Sequence, residues 1–170
     1  EKNLKLGMNS DFTVFDRLVL DPQLTKTVPR DQYFFTGMDT YIHCIESLAG
    51  NFRHPISDAL SEQGRALSRK VFLSGRMLDD DLRETLMVAS YMGGSAIGNS
   101  YVGLIHPLSA GLSMVLGFGH CIANCIVMNV MEEYYPAETA EFHEMLDKNQ
   151  VDLPNNVTAG LSDQKFQELF

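Results

Sequence analysis

The chain is short of cysteine, of positive charge and of long apolar runs, and each shortage excludes a class of protein. Three cysteines among 170 residues are too few for a disulfide scaffold, so they favour a reduced, cytoplasmic protein. Lys and Arg number 13 against 22 Asp and Glu, and the net charge of −9 argues against nucleic acid and anionic membranes as partners. No apolar run approaches the roughly 20 residues that cross a bilayer. The start of the chain has neither an initiator Met nor the apolar region of a signal peptide.

The apolar residues of the chain recur mainly at helical spacing. Apolar residues make up 45% of the chain, which suffices for one domain with a buried core. From Pro29 onward they recur at helical spacing, whereas residues 1–28 are predicted to be an extended or irregular lead-in with β-prone runs at 12–15 and 17–20. The expected fold class is all-α: a multi-helix bundle over residues 29–170, cut short at its C-terminus and preceded by a short extended segment. The predicted helices cover about residues 29–48, 56–72, 79–95, 101–116, 120–134 and 136–148, and another begins after Ser162.

Asp39 and His43 are candidate ligands of a metal ion. They are four residues apart in a helical pattern, so they share one face of a helix about 5–6 Å apart. A catalytic ion needs about three or four protein ligands, so further ligands must come from elsewhere. Glu46 lies on roughly the same face as His43. It either orients a ligand imidazole as an outer carboxylate or is a solvated or helix-paired side chain.

His106 and His120 are the further candidates, because they lie in or beside two nearly charge-free segments, 102–116 and 121–130. Such segments are predicted to be buried on every side, and a buried histidine needs partners for both ring nitrogens. On one straight helix the two histidines would lie about 21 Å apart, so one ion reaches both only if the chain reverses between them. Glycines in residues 117–119 supply that reversal, since glycine ends helices and adopts positive φ.

Other sites find less support in the sequence. His54 and His143 lie in polar surroundings and are most simply surface residues. His120 with Cys121 and Cys125 would form a local zinc site only with a fourth ligand, and small buried cysteines are ordinary in helix cores. A di-iron carboxylate bundle needs Glu three residues before a histidine on two helices, which no histidine here has. No nucleophile is singled out beside a base, and there is no Gly-rich phosphate loop.

The pattern Gly37-Met38-Asp39-x-x-x-His43-x-x-Glu46, followed by Pro55-Ile56-Ser57-Asp58-Ala59-Leu60, resembles the first metal-binding helix and the next helix of the iron-containing (group III) alcohol dehydrogenases. His106 and His120, fourteen residues apart and 63 residues after His43, match that family's later ligand pair. Residues 19–24 are similar to the short strand and turn that lead into its helical domain.

This resemblance implies a dehydroquinate synthase-like helical domain that holds a divalent ion, Fe²⁺ or Zn²⁺, through Asp39, His43, His106 and His120. It also implies that the complete protein is an NAD(P)-dependent alcohol dehydrogenase, a homodimer that oxidises a primary alcohol to an aldehyde. The sequence contains no Gly-rich nucleotide-binding domain of the kind that the family has. No NAD(P)-binding residue is therefore assigned, and the chain alone is expected to be inactive.

The resemblance also bears on the substrate. Residues 5–16, 38–48 and 92–94 resemble members of the family that oxidise the C8 hydroxyl of 3-deoxy-D-manno-octulosonate (Kdo), an acidic sugar of lipopolysaccharide. An acidic substrate needs basic side chains near the ion, and Arg53 and Arg65 are candidates. Many family members carry another histidine four residues after the first of the later pair. Ala110 stands there, which implies no proton relay at this position and disfavours simple alcohols. The competing interpretation is a non-catalytic helical module that binds metal or another protein.

Overall fold

The computed structural model describes residues 10–169 and contains no strand in that part of the chain, which confirms the all-α prediction. Two short 3₁₀ turns, Asp11–Thr13 and Pro22–Thr25, precede the helices. The helices are α1 Arg30–Ala49, α2 Pro55–Phe72, α3 Asp80–Asn99, α4 Ile105–Leu116, α5 His120–Met128, α6 Pro136–Asn149 and α7 Asp163–Gln167.

Local signals in the sequence set several helix ends. Gly50 follows the last residue of α1, and its N–H donates to the Glu46 carbonyl oxygen at 2.9 Å. His54 caps the start of α2, because its Nδ1 accepts from the Ile56 N–H at 3.2 Å. Ser162 caps α7 as predicted, since its hydroxyl oxygen accepts a backbone N–H of the first turn. These caps satisfy N–H and C=O groups that have no partner within their own helix.

The central helix of the bundle is α1, which packs against α2, α3 and α5. Phe34 on α1 meets Phe72 on α2 edge to face, with the ring centroids 5.2 Å apart. Gly37 lies where the Phe72 ring approaches, and a Cβ there would collide with the ring. Burial of one such ring stabilises the fold by about 1.5–3 kcal/mol. Asp39 and His43 follow on the same helix, so the central helix of the bundle fixes their position.

A polar network fastens α6 to α1 and α2. The Tyr41 hydroxyl donates to Glu141 Oε2 at 2.6 Å, and Arg65 and Arg69 form ion pairs with the same carboxylate. The Asn149 side chain donates to the carbonyl oxygen of the last residue of α2 at 2.7 Å. Burial, together with the Glu141 contact, raises the pKa of Tyr41. The hydroxyl therefore stays protonated and keeps donating to Glu141.

The predicted strand-like runs do not form strands. Residues 12–15 and 17–20 are irregular or in 3₁₀ turns, and their apolar side chains are exposed. A strand needs a neighbouring strand for its backbone hydrogen bonds, and no such neighbour exists among residues 10–169. The prediction that the lead-in is extended or irregular is confirmed for residues 10–28. Residues 1–9, to which the prediction also applied, lie outside the described residues.

Three helix boundaries also differ from prediction. Helix α3 continues to Asn99 instead of ending near residue 95, α4 begins at Ile105 instead of 101, and α5 ends at Met128 instead of 134. Gly93 lies inside α3, and a Cβ there would lie 3.1 Å from the Thr40 side chain. Glycine at that point lets α3 approach α1 closely and does not end the helix. After α5, residues 129–135 form successive turns.

The prediction that α4 is buried on every side is wrong for this chain. Ile105, Ser109 and Leu112 are buried, whereas Met114 is 42% exposed. Among the helices α4 packs chiefly against α5, and the face that carries Pro107 and Met114 is left exposed. A charge-free sequence shows that a helix tolerates burial, but packing partners decide whether it is buried. Within the described residues no helix is both long and apolar enough to span a bilayer.

Candidate metal centre

Three of the predicted ligands converge where α1, α4 and α5 meet. Asp39 Oδ1 lies 3.3 Å from His106 Nε2 and 3.5 Å from His120 Nε2. One potential ligand atom from each of the three side chains lies within 4.8 Å of the other two. In the part of the chain that the structure describes, this is the one group of three or more His, Cys, Asp or Glu side chains close enough to share an ion.

His43, the fourth predicted ligand, lies beside this group but does not belong to it. Its Nε2 is 3.7 Å from Asp39 Oδ2, the other oxygen of the carboxylate. Its ring stacks on His106 with centroids 4.8 Å apart and planes inclined by 19°. The structure therefore brings all four predicted side chains together, and three of them are arranged around one point.

Glycine produces the reversal between His106 and His120, as the sequence predicts. Gly117 ends α4 with a φ of 75°, a left-handed conformation that costs other residues about 1–2 kcal/mol. Gly119 follows in an extended conformation, and His120 is the first residue of α5. The two imidazole centroids are consequently 5.3 Å apart, although the residues are fourteen positions apart in the sequence.

Glu46 is fully buried behind His106, so the alternative of a solvated side chain is wrong. Its Oε2 contacts His106 Nδ1, the ring nitrogen opposite the one that faces Asp39. Its Oε1 accepts from the N–H of Ile105, the first residue of α4, at 2.6 Å. Unpaired N–H groups and the helix dipole favour a carboxylate at that place. Glu46 thus contacts both a predicted ligand and the helix that carries it.

Asn124 and Ser109 also belong to the centre, and sequence reasoning missed both. Asn124 lies one helical turn after His120 and is fully buried. Its Nδ2 is 2.5 Å from Asp39 Oδ1, 3.2 Å from His106 Nε2 and 3.3 Å from His120 Nε2. Its Oδ1 accepts from the Ser109 hydroxyl. A signal was available, because a lone amide within a nearly charge-free helix must find polar partners.

Close contact between carboxylates and imidazoles shifts their pKa values. Burial acts to raise the pKa of Asp39, but the hydrogen bond from His106 and the charges of the three imidazoles outweigh it and lower the pKa to about 2. Burial acts to lower the pKa of His106, but its bonds to Asp39 and Glu46 outweigh it and raise the pKa to about 9. Burial also lowers the pKa of His43. An ion bound here would compete with the His106 proton, since metal ligation requires neutral imidazole.

The donor set fits a divalent transition-metal ion. Bonds of about 2.0–2.2 Å place two ligand atoms on one ion about 3–3.5 Å apart. The distances of 3.3 and 3.5 Å from Asp39 to His106 and His120 agree with that spacing. Imidazole with carboxylate suits Fe²⁺ or Zn²⁺, and metal-bound histidines usually have an outer partner such as Glu46. The residues present can therefore hold the ion that the sequence resemblance implies.

The other histidines and the cysteine pair lie outside the centre. His54 is exposed and caps α2, and the Nε2 of half-buried His143 lies 3.1 Å from Asn129 Oδ1. Cys121 and Cys125 join no group of three potential ligands among the described residues. Burial raises the pKa of Cys125 well above its usual value, which disfavours the thiolate that zinc binds. The structure gives no support to a local zinc site.

The two arginines considered for an acidic substrate already have acidic partners. Arg53 forms an ion pair with Asp58 at 2.8 Å, and Arg65 forms one with Glu138 at 3.1 Å. Arg65 belongs to the network that holds α6. Neither guanidinium offers an uncompensated charge to a substrate carboxylate.

Comparison with known proteins gives one consistent result. The family model described as "Fe-containing alcohol dehydrogenase family, C-terminal" matches residues 34–162. Sulfoacetaldehyde reductase of Bilophila wadsworthia (strain 3_1_6) is 31% identical over 123 residues, which are 70% of this chain and 31% of that protein. NADPH-dependent butanol dehydrogenase of Clostridium saccharobutylicum is 26% identical over 155 residues, 91% of this chain and 40% of that protein. The chain spans less than half the length of these relatives.

Solved structures share the fold. Sulfoacetaldehyde reductase from Bifidobacterium kashiwanohense, in complex with NAD+, superposes with a TM-score of 0.75 at 19% identity, covering 88% of this chain and 45% of that one. Maleylacetate reductase from Rhizobium sp. strain MTP-10005 superposes with a TM-score of 0.69 at 18% identity, covering 88% and 47%. Both similarities support the predicted helical architecture.

Proposed function

The chain belongs to the Fe-containing alcohol dehydrogenase family, and from that membership we propose that it is the metal-binding helical half of an NAD(P)-dependent alcohol dehydrogenase. The observation that carries the proposal is the convergence of Asp39, His106 and His120, with His43 beside them. We assign residues 29–170 to this helical half and residues 1–28 to the segment that leads into it.

In this proposal Asp39, His43, His106 and His120 are the metal ligands. The family's description favours Fe²⁺ over Zn²⁺ as the ion. When bound, a divalent ion supplies Lewis acidity toward the hydroxyl oxygen of a substrate. The centre as a whole would then stabilise negative charge on that oxygen.

The protein's own side chains give the centre its shape and its access. Asp39 stays ionised because the surrounding imidazoles lower its pKa to about 2. Glu46 holds the Nδ1 side of His106, so that its Nε2 faces Asp39. The His120 side chain is 36% exposed, compared with 10% for His106, so a substrate reaches the centre beside the start of α5.

The hydride acceptor, NAD(P), is proposed to bind outside this chain. No residue of this chain is assigned to NAD(P), so we propose that a nucleotide-binding part lies elsewhere in the complete protein. The share of the relatives that the chain covers, 31% and 40%, is consistent with this arrangement. We also propose, from the family resemblance, that the complete protein is a homodimer, which light scattering on the full-length protein measures.

The finer proposal is that the substrate is the C8 hydroxyl of Kdo, which is oxidised to the aldehyde. It is supported by the sequence resemblance of residues 38–48 and by Ala110, which replaces the histidine of a proton relay. The relatives named above carry other substrates in their names, sulfoacetaldehyde and butanol, so these compounds are the comparison substrates. Because Arg53 and Arg65 are already paired with acids, the sugar carboxylate needs other basic side chains.

Metal analysis tests the centre. We expect purified full-length protein to hold one iron ion per chain and the double variant His106→Ala, His120→Ala to bind it at least about tenfold more weakly, because two nitrogen ligands are lost. His143→Ala is the matched control, since this half-buried histidine lies outside the centre. A double variant that keeps the wild-type metal content would show that the shared centre does not exist. Zinc in place of iron would correct the metal and leave the centre intact.

Substrate assays test the reaction. We expect the full-length protein, with NAD+ or NADP+, to oxidise Kdo with a kcat/KM at least about tenfold above that for 1-butanol, because a site built for polar groups discriminates strongly. Sulfoacetaldehyde with the reduced nucleotide is the reverse-direction comparison. Faster turnover of butanol or sulfoacetaldehyde would contradict the Kdo proposal. A coding sequence upstream of Glu1 without a Gly-rich nucleotide domain would contradict the dehydrogenase proposal itself.

A further inference from the structure

We infer that Asn124 is a positioning residue of the metal centre, whose amide holds the Asp39 carboxylate in line with His106 and His120. The inference rests on the proposed function, because it concerns the same centre. Asn124 is fully buried on α5, and its side-chain nitrogen lies within 3.3 Å of one atom of each of these three side chains. Among the hydrogen bonds of the described residues, Asn124 Nδ2 contacts no potential metal ligand other than those three.

The contact with Asp39 is the strongest of the three. Asn124 Nδ2 lies 2.5 Å from Asp39 Oδ1, compared with 3.2 and 3.3 Å from the two imidazole nitrogens. An amide NH₂ group has two hydrogens, so it cannot make three full hydrogen bonds at once. The ionised carboxylate is the best acceptor present, because hydrogen bonds to charged groups are roughly twice as strong as neutral ones.

The Asp39 contact is also compatible with a bound ion. An imidazole Nε2 has one lone pair, which metal ligation uses. A carboxylate oxygen has two lone pairs, so Asp39 Oδ1 can accept from Asn124 and face an ion at the same time. The amide can therefore donate to the Asp39 carboxylate whether or not that carboxylate also faces an ion.

The other end of the amide is oriented by Ser109. The Ser109 hydroxyl contacts Asn124 Oδ1 and lies 2.9 Å from the His106 carbonyl oxygen. Ser109 is fully buried on α4, so this link joins the two helices that carry the ligand histidines. With its oxygen held by Ser109, the amide turns its nitrogen toward Asp39.

Cobalt binding to full-length protein tests the inference. Asn124→Leu keeps the volume of the side chain and removes its donor. The matched control is Asn149→Leu, since Asn149 is 3% exposed and donates at 2.7 Å to two helix carbonyl oxygens away from the centre. Each metal-stripped protein is reloaded with Co²⁺, the dissociation constant is measured by chelator competition, and the visible absorption spectrum reports the ligand geometry.

We expect Asn124→Leu to raise the Co²⁺ dissociation constant about 10–100-fold and to change the visible spectrum, as loss of an outer partner does. Asn149→Leu should lower resistance to urea but leave the dissociation constant within about twofold and the spectrum unchanged, because distant sites act independently. Ser109→Ala, a milder variant, should shift both readouts in the direction of Asn124→Leu by a smaller factor.

Three outcomes overturn the inference. Wild-type affinity and spectrum in Asn124→Leu and in Ser109→Ala would mean that the amide only fills space. Equal effects of Asn124→Leu and Asn149→Leu would mean that metal binding follows general stability. A wild-type protein that binds no Co²⁺ would overturn the proposed function and, with it, the role of Asn124. The first two outcomes, in which the wild-type protein binds Co²⁺ normally, overturn the role of Asn124 alone.

Discussion

Glu46 connects the chemistry of the centre to the stability of the fold. One carboxylate oxygen contacts the ring of His106, and the other accepts from the backbone at the start of α4. Gly103 permits this approach, because a Cβ at that position would lie 3.2 Å from Glu46 Oε1. A single buried side chain therefore sets the direction of a ligand imidazole and the position of its helix.

We predict that Glu46→Gln weakens both metal binding and the fold. The amide keeps the shape but loses the charge, so the metal dissociation constant should rise about 10–100-fold. The free energy of unfolding should fall by about 1–3 kcal/mol, because buried donors lose a charged acceptor. Chelator competition and urea unfolding measure the two effects. Glu84→Gln, a change at an exposed position of α3, is the control and should alter neither. Unchanged metal affinity in Glu46→Gln would contradict the orienting role.

At the scale of elements, the α4–α5 pair depends on the turn between its helices. Gly117 has a φ of 75°, whereas Gly119 has a φ of −59°, which any residue adopts. The two glycines are thus chemically identical but conformationally different, and they lie in the same three-residue turn.

We predict that Gly117→Ala lowers the free energy of unfolding by about 1–2 kcal/mol, because a Cβ is strained in the left-handed region. Gly119→Ala should change it by less than about 0.5 kcal/mol, as is usual where no special conformation is lost. Urea unfolding of both variants provides the measurement. Metal affinity should fall in the first variant only, since this turn brings His106 and His120 together. Equal losses in the two variants would refute the explanation by φ.

For the whole molecule, the position of α6 depends on charge as well as on apolar packing. Glu141 accepts from Tyr41 and pairs with Arg65 and Arg69, so it links α6 to both α1 and α2. Glu144, three residues further along α6, pairs only with Lys148 among the ion pairs of the described residues, and its side chain is 55% exposed.

We predict that Glu141→Gln loosens α6 and lowers the free energy of unfolding by about 2 kcal/mol, because a half-buried network loses its shared anion. Glu144→Gln should cost less than about 0.5 kcal/mol, as exposed ion pairs contribute little. Urea unfolding gives the free energies, and amide hydrogen exchange shows whether α6 opens first. Slow exchange in α6 of Glu141→Gln would contradict the prediction.

The sequence predicted the parts of this protein that depend on neighbouring residues. Apolar spacing and caps located α1, α2 and α6 to within a residue or two, and the glycines at 117 and 119 predicted the reversal. Where prediction failed, the deciding partner lay elsewhere in the chain. Glycine at 93 packs closely against α1 and does not end α3, and the β-prone lead-in has no described strand to pair with.

The candidate site divides in the same way. Residue type and spacing alone selected Asp39, His43, His106 and His120, since carboxylate and imidazole are chemically suited to an ion and the turn can be read from glycine. Only the tertiary structure placed three of them around one point, buried Glu46 behind His106 and brought Asn124 to Asp39 across 85 positions of sequence. Such contacts depend on how helices pack, and packing is set by the whole set of buried side chains rather than by any local pattern.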